Sequence, residues 1–329
     1  MSISDYQKHI LYLSRRDVEA VNLELTRVLP LVESSFVEKA KGTSLMEPKH
    51  WYESPDGNFF SAMSAYTPAF NVAGVKWQSG YPRNAIKNLP SLNGYIIINE
   101  LENGLPIAIM DSTWLTAVRT GIQTGVTAKF LGRRDSEVFG ILGCGVQGRT
   151  NLNALHLVLP KLRKVLAYDI NPGNLGAYID YVKKAGLEAV PCRSPKEAIA
   201  DADVIVTAGP IHQKPASDIN PSWLKRGVLA VPLDYDSYWD SEAMRGFDKF
   251  VVDDRGQVEH YQELGAYFLE IPKINADLAE VIAGLKPGRS NDAEKIMCMN
   301  LGVAIEDTPI AFEIYREAKE KGIGTWLPR

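Results

Sequence analysis

Residues 137–150 read EVFGILGCGVQGRT, a short apolar run followed by the glycine-rich segment GCGVQG at 143–148. A strand that ends in this spacing of glycines and leads into a helix is typical of a dinucleotide-binding turn. Gly143 permits the tight turn, Gly145 lets the backbone approach a pyrophosphate, and Gly148 lets the new helix pack closely on the sheet. Val146 and Gln147 then begin the helix, whose N-terminus offers unpaired N–H groups to phosphates. The alternative is a glycine-rich turn that binds no ligand.

A second apolar strand ends at Asp169 in KVLAYDINPGN, about 20 residues after the glycine-rich turn. An acid at this point accepts hydrogen bonds from the ribose 2′-hydroxyl of NAD(H), whereas its charge repels the 2′-phosphate of NADP(H). Residues 170–173 contain no Arg that could bind such a phosphate. The sequence therefore predicts NAD(H) in preference to NADP(H). The alternative is that Asp169 only begins the turn Asp-Ile-Asn-Pro, where Asp is common.

The composition is that of a globular chain with enough apolar residues for two domains. Of its 329 residues 45% are hydrophobic, and no stretch approaches the roughly 18 uninterrupted apolar residues of a membrane span. The first residues, MSISDYQKHI, lack a basic segment leading into a long apolar run, so we expect no export signal. The three cysteines have no paired or metal-like spacing. We therefore expect a cytoplasmic protein that does not associate with membranes.

Charge and histidine content argue against two further classes of ligand. The formal net charge is −4, and the Lys and Arg residues are scattered, which provides no electrostatic footprint for nucleic acid. The five histidines are far apart in the sequence, so no local metal-binding motif exists. We expect neither a nucleic-acid partner nor a metal.

Apolar periodicity divides the chain before the glycine-rich turn into helical and strand-like parts. Residues 11–41 have helical spacing, with Ser14 placed as the N-cap of a capping box. Residues 59–110 alternate as in an antiparallel sheet, with a hairpin turn at 103–104. A further helix is expected over 114–130.

After Gly132, strands and helices alternate in the pattern of a doubly wound parallel sheet. Strands are expected near 138–142, 165–169, 187–191, 204–208, 228–233 and 250–252. Residues 292–321 again have helical periodicity and are expected to return to the first part of the chain.

The predicted fold is therefore α/β, with a Rossmann-type doubly wound parallel sheet domain and a smaller α+β domain. The Rossmann domain is predicted to bind NAD and to cover residues 126–304. The smaller domain, predicted to bind substrate and to dimerise, covers 1–125 and is completed by a C-terminal helical tail at 305–329. The two domains are expected to meet across a cleft bridged by the helix at 114–130.

Three basic residues are candidates for binding an anionic group of the substrate. Lys76 interrupts the apolar strand AGVKWQSG, Arg119 lies among largely apolar residues in WLTAVRTG, and Lys49 stands in MEPKHW. Buried cations need partners, and a carboxylate supplies one, because Arg binds it through a bidentate fork and Lys as a point charge. The alternative for each is a solvated surface cation.

Two threonines are further candidates for cofactor binding. Thr207 ends a predicted strand in VIVTAG, at the carboxyl edge where such sheets bind ligands, and Thr120 is the neighbour of Arg119. The alternative for Thr207 is that its hydroxyl only satisfies the local backbone.

Four segments together resemble the ornithine cyclodeaminase and mu-crystallin family: AGVKWQSGYPRN, GLPIAIMDSTWLTAVRTG, GILGCGVQGRTNLNAL and GVAIEDTPIAFEIYREAKEKGIGT. The likeness covers nearly the whole chain, and the combination is far more specific than the glycine motif alone. The resemblance implies a homodimer built through the sheet domain and a Rossmann domain that binds NAD or NADP. It also implies a small amino or imino acid as the substrate.

The resemblance implies roles for individual residues. Lys76 and Arg119 match the basic residues that hold the substrate carboxylate, and Lys49 falls near a position usually occupied by Arg. Asp234 matches the aspartate that cyclodeaminases use for proton transfer and for binding the substrate amine. The catalytic candidates are therefore Asp234 and Lys76.

The chain departs from the family at 232–239, PLDYDSYW, where cyclodeaminases have a glycine-rich segment followed by Pro-Gly. The aromatic residues in this segment are expected to reshape the pocket. Asp236 is an alternative to Asp234 as the proton-transfer group, or neither is catalytic. Trp77, next to Lys76, is another large side chain that points either to the core or to the pocket.

Two reactions are compatible with these candidates. In the first, NADH delivers hydride to the carbon of a protonated C=N bond, or the reaction runs backward as an amino-acid dehydrogenation. In the second, a cyclodeaminase oxidises an amino acid with tightly held NAD+, releases ammonia on ring closure and returns the hydride. The altered surroundings of Asp234 favour the first reaction. A third interpretation is a binding or accessory protein of the mu-crystallin kind.

Overall fold

The computed structural model describes residues 8–87, 89–212, 214–215 and 218–329. The chain divides into two compact units, one of residues up to Arg119 together with Val303–Arg329, and the other Thr120–Gly302. The sequence places these boundaries slightly later, at 125/126 and 304/305. One uninterrupted helix runs through the first boundary, so its apolar periodicity contains no signal of the division. Residues 1–7, on which the expectation about an export signal partly rests, lie outside the described residues.

Strands and helices are numbered here in chain order. The strands are β1 (His9–Leu13), β2 (Leu45–Met46), β3 (His50–Glu53), β4 (Phe59–Thr67), β5 (Val72–Gly80), β6 (Leu92–Glu100), β7 (Pro106–Asp111), β8 (Val138–Leu142), β9 (Lys164–Tyr168), β10 (Glu188–Pro191), β11 (Val204–Thr207), β12 (Leu229–Pro232), β13 (Lys249–Val252), β14 (Ala276–Asp277), β15 (Ile296–Met299) and β16 (Thr325–Pro328). The helices are α1 (Arg15–Val21), α2 (Leu25–Ala40), α3 (Thr113–Leu131), α4 (Val146–Val158), α5 (Pro172–Lys184), α6 (Pro195–Ile199), α7 (Ser241–Arg245), α8 (Arg255–Glu263), α9 (Leu278–Ile282) and α10 (Ala304–Lys321).

The first unit is built on one mixed sheet with the order β16-β1-β7-β6-β5-β4-β2, and β3 also pairs with β4. Strands β4 to β7 are antiparallel, as the alternation of residues 59–110 predicts, and Gly104 has a φ of +73° in the hairpin between β6 and β7. Helix α10 packs on β4, β5 and α2. The α+β character expected for this part of the chain is confirmed.

Alternation along these strands gives the sheet two unlike faces. Met63, Lys76 and Ile96 are buried on one face, and Lys76 is the cross-strand partner of both Met63 and Ile96. On the other face the large side chains Phe60 and Trp77 are exposed, Trp77 by 48%. Trp77 therefore points away from the core of its unit, since its neighbour Lys76 takes the inward position.

The helical prediction for residues 11–41 is partly wrong. Residues 11–13 belong to β1, where Leu11 and Leu13 are fully buried. The helical segment that follows is divided into α1 and α2 by a short non-helical connection. Asn22 ends α1 in the left-handed region, with a φ of 51°. The capping box at Ser14 is confirmed. A short buried strand directly before a capped helix leaves too few residues to show its own period.

The second unit contains a parallel sheet with the order β10-β9-β8-β11-β12-β15-β13-β14. Strands β9 and β10 extend the sheet on one side of β8, and β11 and β12 extend it on the other. This reversal places a topological switch point between the carboxyl ends of β8 and β11, where such sheets bind ligands. The predicted strands from 138 to 252 are confirmed within a few residues, and so is the Rossmann-type fold.

Strand β15 corrects the prediction that residues 292–321 are helical throughout. Ile296–Met299 form a buried strand between β12 and β13, and the helix begins only at Ala304. A strand buried on both faces is a continuous apolar run, which periodicity cannot distinguish from a buried helix.

Helix α3 packs unusually close to helix α4 within the second unit. A Cβ atom added at Gly121 would lie 2.5 Å from the carbonyl carbon and oxygen of Thr150, so only glycine fits. This contact fixes the helix that follows the glycine-rich turn. No helix in the described ranges is long and apolar enough to cross a membrane.

Candidate active site

The glycine-rich turn lies at the switch point of the parallel sheet, directly against the turn that follows β11. Gly143 has a φ of +104°, and a Cβ atom there would lie 2.5 Å from the carbonyl oxygen of Ala208. A Cβ atom at Gly148 would lie 2.9 Å from the carbonyl oxygen of Gly143, whereas one at Gly145 would meet no atom within 4 Å. Two of the glycines therefore permit close packing, and the third leaves open space above the turn.

Helix α4 begins at this open space. Gly145 is its N-cap residue, and no described side chain caps the helix. Val146 is 63% exposed, while the Oε1 atom of Gln147 accepts a hydrogen bond from Thr150 Oγ1 at 3.2 Å. The N–H groups of the first turn, together with the helix dipole, therefore offer a position for an anion.

Asp169 follows β9 and is bound to the glycine-rich turn. Its Oδ2 atom accepts a hydrogen bond from the backbone N–H of Cys144 at 2.8 Å, and its Oδ1 atom accepts one from Asn171 N at 2.8 Å. The hydrogen bond from Asn171 N belongs to the local turn that the sequence left open as an alternative role for Asp169. The hydrogen bond from Cys144 N fixes the carboxylate beside the open space at Gly145. Burial raises the pKa of the Cys144 thiol to about 12, so it stays protonated at neutral pH.

Asp234 is buried at the turn after β12, and its carboxylate accepts hydrogen bonds from the end of β11 and from the turn that follows it. Thr207 Oγ1 donates to Asp234 Oδ1 at 2.6 Å, and the backbone N–H of Gly209 donates to Oδ2 at 2.9 Å. Trp239 Nε1 donates to Thr207 Oγ1 at 3.1 Å, which directs the hydroxyl hydrogen towards the carboxylate. Burial raises the pKa of Asp234 to about 7, although the hydrogen bonds from Thr207 and Gly209 act to lower it.

Asp236 has different hydrogen-bond partners from Asp234, although the two are close in sequence. Asp236 Oδ2 accepts a hydrogen bond from the backbone N–H of Phe268 at 2.9 Å. That the aromatic residues of the 232–239 segment reshape the pocket stays a prediction for Tyr235 and Trp239. Both are buried in the core of the second unit, where Tyr235 packs against Tyr261 and other aromatic rings.

In the first unit, Lys76 and Arg119 lie in a buried cluster of four charged residues. Lys76 Nζ is 2.8 Å from both carboxylate oxygens of Asp307. Arg119 is 3.4 Å from Glu306 Oε2 and, through Nε, 3.4 Å from Asp307 Oδ1. Two cations and two carboxylates thus offset one another out of contact with water.

Lys76 loses its proton more readily than an exposed lysine does. Burial and the positive charge of Arg119 together lower its pKa to about 8, against the attraction of Asp307. Lys49, the third basic candidate, is also buried, in the connection between β2 and β3. All three predicted basic residues are therefore buried rather than solvated on the surface.

Glu306 and Asp307 are absent from the sequence-based set of candidates. They stand in the first turn of α10, in the segment VAIEDTPIA. Two adjacent acids in an apolar stretch are the signal that was available, because buried carboxylates require cationic partners. Thr120 follows Arg119 on α3 and is buried. Within the described ranges, no group of three or more His, Cys, Asp or Glu side chains is placed to hold a metal ion.

These features agree with comparisons to known proteins. A model of the ornithine cyclodeaminase/mu-crystallin family matches residues 9–322. The chain belongs to this family. The resemblance seen in the sequence is thereby confirmed, over nearly the whole length of the chain.

Several known proteins are similar to this chain over almost its full length. Alanine dehydrogenase of Archaeoglobus fulgidus is 33% identical over 323 residues, which cover 96% of this chain and 97% of that protein. The structure of Thermococcus litoralis Δ1-pyrroline-2-carboxylate reductase in complex with NADH and L-proline has a TM-score of 0.86 and 34% identity, covering 96% of this chain and 99% of that one. An archaeal alanine dehydrogenase dimer with bound NAD has a TM-score of 0.86 and 31% identity, covering 97% and 99%.

The buried charge cluster of the first unit predicts an unequal response to substitution. Asp307→Leu leaves Lys76 buried without its closest partner and is expected to lower the free energy of unfolding by about 3–5 kcal/mol. The double variant Lys76→Met/Asp307→Leu replaces the pair by apolar side chains and is expected to cost less than the single one. Urea unfolding followed by circular dichroism measures both. A double variant less stable than Asp307→Leu would contradict the pairing.

Proposed function

We propose that the chain is an NAD(H)-dependent oxidoreductase that acts on the C–N bond of a small amino or imino acid, as an imine reductase or amino-acid dehydrogenase. The observation that carries the proposal is its likeness, over nearly the whole chain, to an alanine dehydrogenase and to a pyrroline-2-carboxylate reductase. The names of both proteins describe oxidoreductases of small amino or imino acids. The second unit is proposed as the cofactor domain and the first as the substrate and dimerisation domain.

The glycine-rich turn and its surroundings fit an NAD(H) molecule. The open space at Gly145 and the uncapped start of α4 suit a pyrophosphate, with Val146, Gln147 and Gly148 in the first turn of the helix. When bound, NADH supplies the hydride. Thr120 and Thr207 are proposed as further cofactor contacts.

The preference for NAD(H) over NADP(H) is proposed to come from Asp169. Its carboxylate is fixed by Cys144 N and Asn171 N, so it cannot easily turn away from an approaching 2′-phosphate. Ile170, the next residue, is exposed and carries no charge. A ribose 2′-hydroxyl can donate to the carboxylate, whereas a phosphate is repelled.

The basic residues of the first unit are proposed to bind the substrate carboxylate. Lys76 is held at 2.8 Å by Asp307, while Arg119 keeps longer distances of 3.4 Å to its acidic neighbours. The guanidinium fork of Arg119 can bind a substrate carboxylate through two hydrogen bonds, and Lys76 and Lys49 add positive charge.

Asp234 is proposed to hold the proton that the reaction moves. A pKa of about 7 lets its carboxyl group both carry and release a proton near neutral pH, which general acid–base catalysis requires. Thr207 and Gly209 fix the orientation of the carboxyl group. In the reductive direction, the protonated acid would keep the substrate nitrogen protonated while the carbon accepts hydride.

The function is tested by the loss of NADH absorbance with pyruvate plus ammonia and with pyrroline-2-carboxylate. We expect stoichiometric oxidation of NADH with at least one of them. Arg119→Ala removes a charge-assisted pair and is expected to lower kcat/KM by the equivalent of about 2–4 kcal/mol of activation free energy. Arg316→Ala, at an exposed position, is the control and should match the wild type. Ammonia release from ornithine with no net change in NADH would instead identify a cyclodeaminase. Unchanged kinetics in Arg119→Ala would reject the proposed carboxylate contact.

The raised pKa of Asp234 predicts the pH dependence of imine reduction. The rate should fall as the pH rises through about 7, because the carboxyl group then loses its proton. Asp234→Asn, which keeps the shape but cannot titrate, should be slower and flat across this range. If Asp234→Asn kept the wild-type pH profile of the rate, Asp234 would be excluded as the proton donor.

The raised pKa of Asp234 also affects the stability of the fold. This group stabilises the folded state at low pH, and its contribution is lost as the pH rises through about 7.

The role of Asp169 is tested by changing the cofactor preference. Asp169→Ser combined with Ile170→Arg removes the repelling carboxylate and adds a partner for the 2′-phosphate, so the ratio of kcat/KM for NADPH to that for NADH should rise. Ile170→Arg alone is the matched control and should have a smaller effect, because the carboxylate remains. An unchanged preference in the double variant would show that Asp169 does not read the ribose.

We also propose that the exposed face of the first unit's sheet is covered by a second copy of the chain. Large apolar side chains share this face: Phe60, Tyr66, Trp77, Tyr95 and Ile97. An exposed apolar patch of this kind commonly marks an interface between proteins. The similar archaeal alanine dehydrogenase is a dimer.

Light scattering during gel filtration tests the proposed dimer. The wild type should have twice the mass of the chain, and Trp77→Glu should shift it towards the monomer, because a charge is then placed at the centre of the apolar face. Leu285→Glu, an equivalent change at an exposed residue of the second unit, should leave the mass unchanged. A monomeric wild type, or a dimer that survives Trp77→Glu, would contradict this interface.

A further inference from the structure

A cavity in the second unit lies beside Asp236. Its volume is about 350 Å³, which is at the small end of the roughly 300–1,000 Å³ of ligand-binding pockets. Asp236 forms part of its wall, together with residues from α7 and from the segment after α8.

Asp236 carries a buried carboxylate oxygen that the described residues leave without a hydrogen bond. The side chain is 3% exposed, and only its Oδ2 atom has a donor, the backbone N–H of Phe268 at 2.9 Å. A buried carboxylate oxygen without a donor is costly. Burial accordingly raises the pKa of Asp236. A positive charge in the cavity, next to this carboxylate, would reduce the cost.

The rest of the wall combines apolar surface with excess negative charge. Met244, Ala266, Tyr267 and Leu269 supply the apolar part. Asp240 and Glu270 add carboxylates to that of Asp236, against the single cation Lys214. The net charge favours a cationic ligand, and the apolar wall favours one with a hydrocarbon body.

The arrangement of the carboxylates does not suit a metal ion. Asp240 already uses its side chain to cap α7, accepting from Ala243 N at 2.8 Å. No three acidic, histidine or cysteine side chains in the described part of the chain are grouped to hold a metal. The cation that matches this cavity is therefore an organic one.

We propose that this cavity binds a small aliphatic ammonium compound, with its nitrogen donating to Asp236 and its alkyl chain on Met244, Ala266 and Tyr267. The positive charge of an ammonium group complements the carboxylate of Asp236, and its N–H groups supply hydrogen-bond donors. The carboxylate of Asp234 is bound to Thr207 and Gly209 and takes no part in this site. The proposal is independent of the proposed oxidoreductase function.

Isothermal titration calorimetry of the full chain with n-butylammonium chloride tests the proposal. We expect saturable binding of one molecule per chain in the millimolar range or tighter. Butan-1-ol, which has the same alkyl chain and no charge, should bind at least about tenfold more weakly, because it cannot pair with the carboxylate. Sodium chloride at equal ionic strength serves as the blank.

Four variants locate the site of binding. Asp236→Asn, which still accepts from Phe268 N, should weaken binding at least about tenfold, and Ala266→Leu should do so by filling the cavity. Glu263→Gln removes an exposed negative charge of the same unit and should leave binding unchanged, as should Asp234→Asn. Circular dichroism confirms that each variant is folded.

The outcomes decide the proposal. Weakened binding in both Asp236→Asn and Ala266→Leu, with the other two variants like the wild type, would support it. No saturable heat with the wild type would overturn it. Binding that is unchanged in Asp236→Asn, or that is lost in Asp234→Asn instead, would also overturn it and would place the amine elsewhere.

Discussion

The close contact between the turns after β8 and β11 is the constraint on which the second unit depends. A Cβ atom at Gly143 would lie 2.5 Å from Ala208 O, so these two turns meet only because the first contains glycine. Each turn is then held by a carboxylate from the neighbouring strand end: Asp169 accepts from Cys144 N, and Asp234 accepts from Gly209 N. The start of α4 and the open space above it follow from this arrangement.

The same constraint links structure to chemistry. Asp169 and Asp234 accept hydrogen bonds from the backbone N–H groups of Cys144 and Gly209, and these bonds fix the two carboxylates in the positions from which we propose that they read a ribose and hold a proton. Burial has a cost, visible in the raised pKa of Asp234. In the first unit, the buried positive charges of Lys76 and Arg119 are neutralised by Glu306 and Asp307, which lie near the start of α10.

Much of this architecture could be predicted from the sequence, because local patterns determine it. The glycine spacing located β8 and α4, and the alternation of residues 59–110 located the antiparallel sheet. Strand β15 was missed because a doubly buried strand has no period of its own, and the unit boundary within α3 because a continuous helix does not mark it. Glu306 and Asp307 were missed for another reason. Their partners are distant in sequence, and only the folded sheet brings Lys76 to them.

Transfer of deuterium from the cofactor to the substrate tests the central claim most directly. NADH carrying deuterium at both C4 positions would be supplied with pyrroline-2-carboxylate, and separately with pyruvate and ammonia, and the amino acid formed would be analysed by mass spectrometry. We expect proline or alanine with a single deuterium at the α-carbon, formed in step with the oxidation of NADH. Product without deuterium, or neither amino acid despite saturable binding of NADH, would contradict hydride transfer to the C–N carbon.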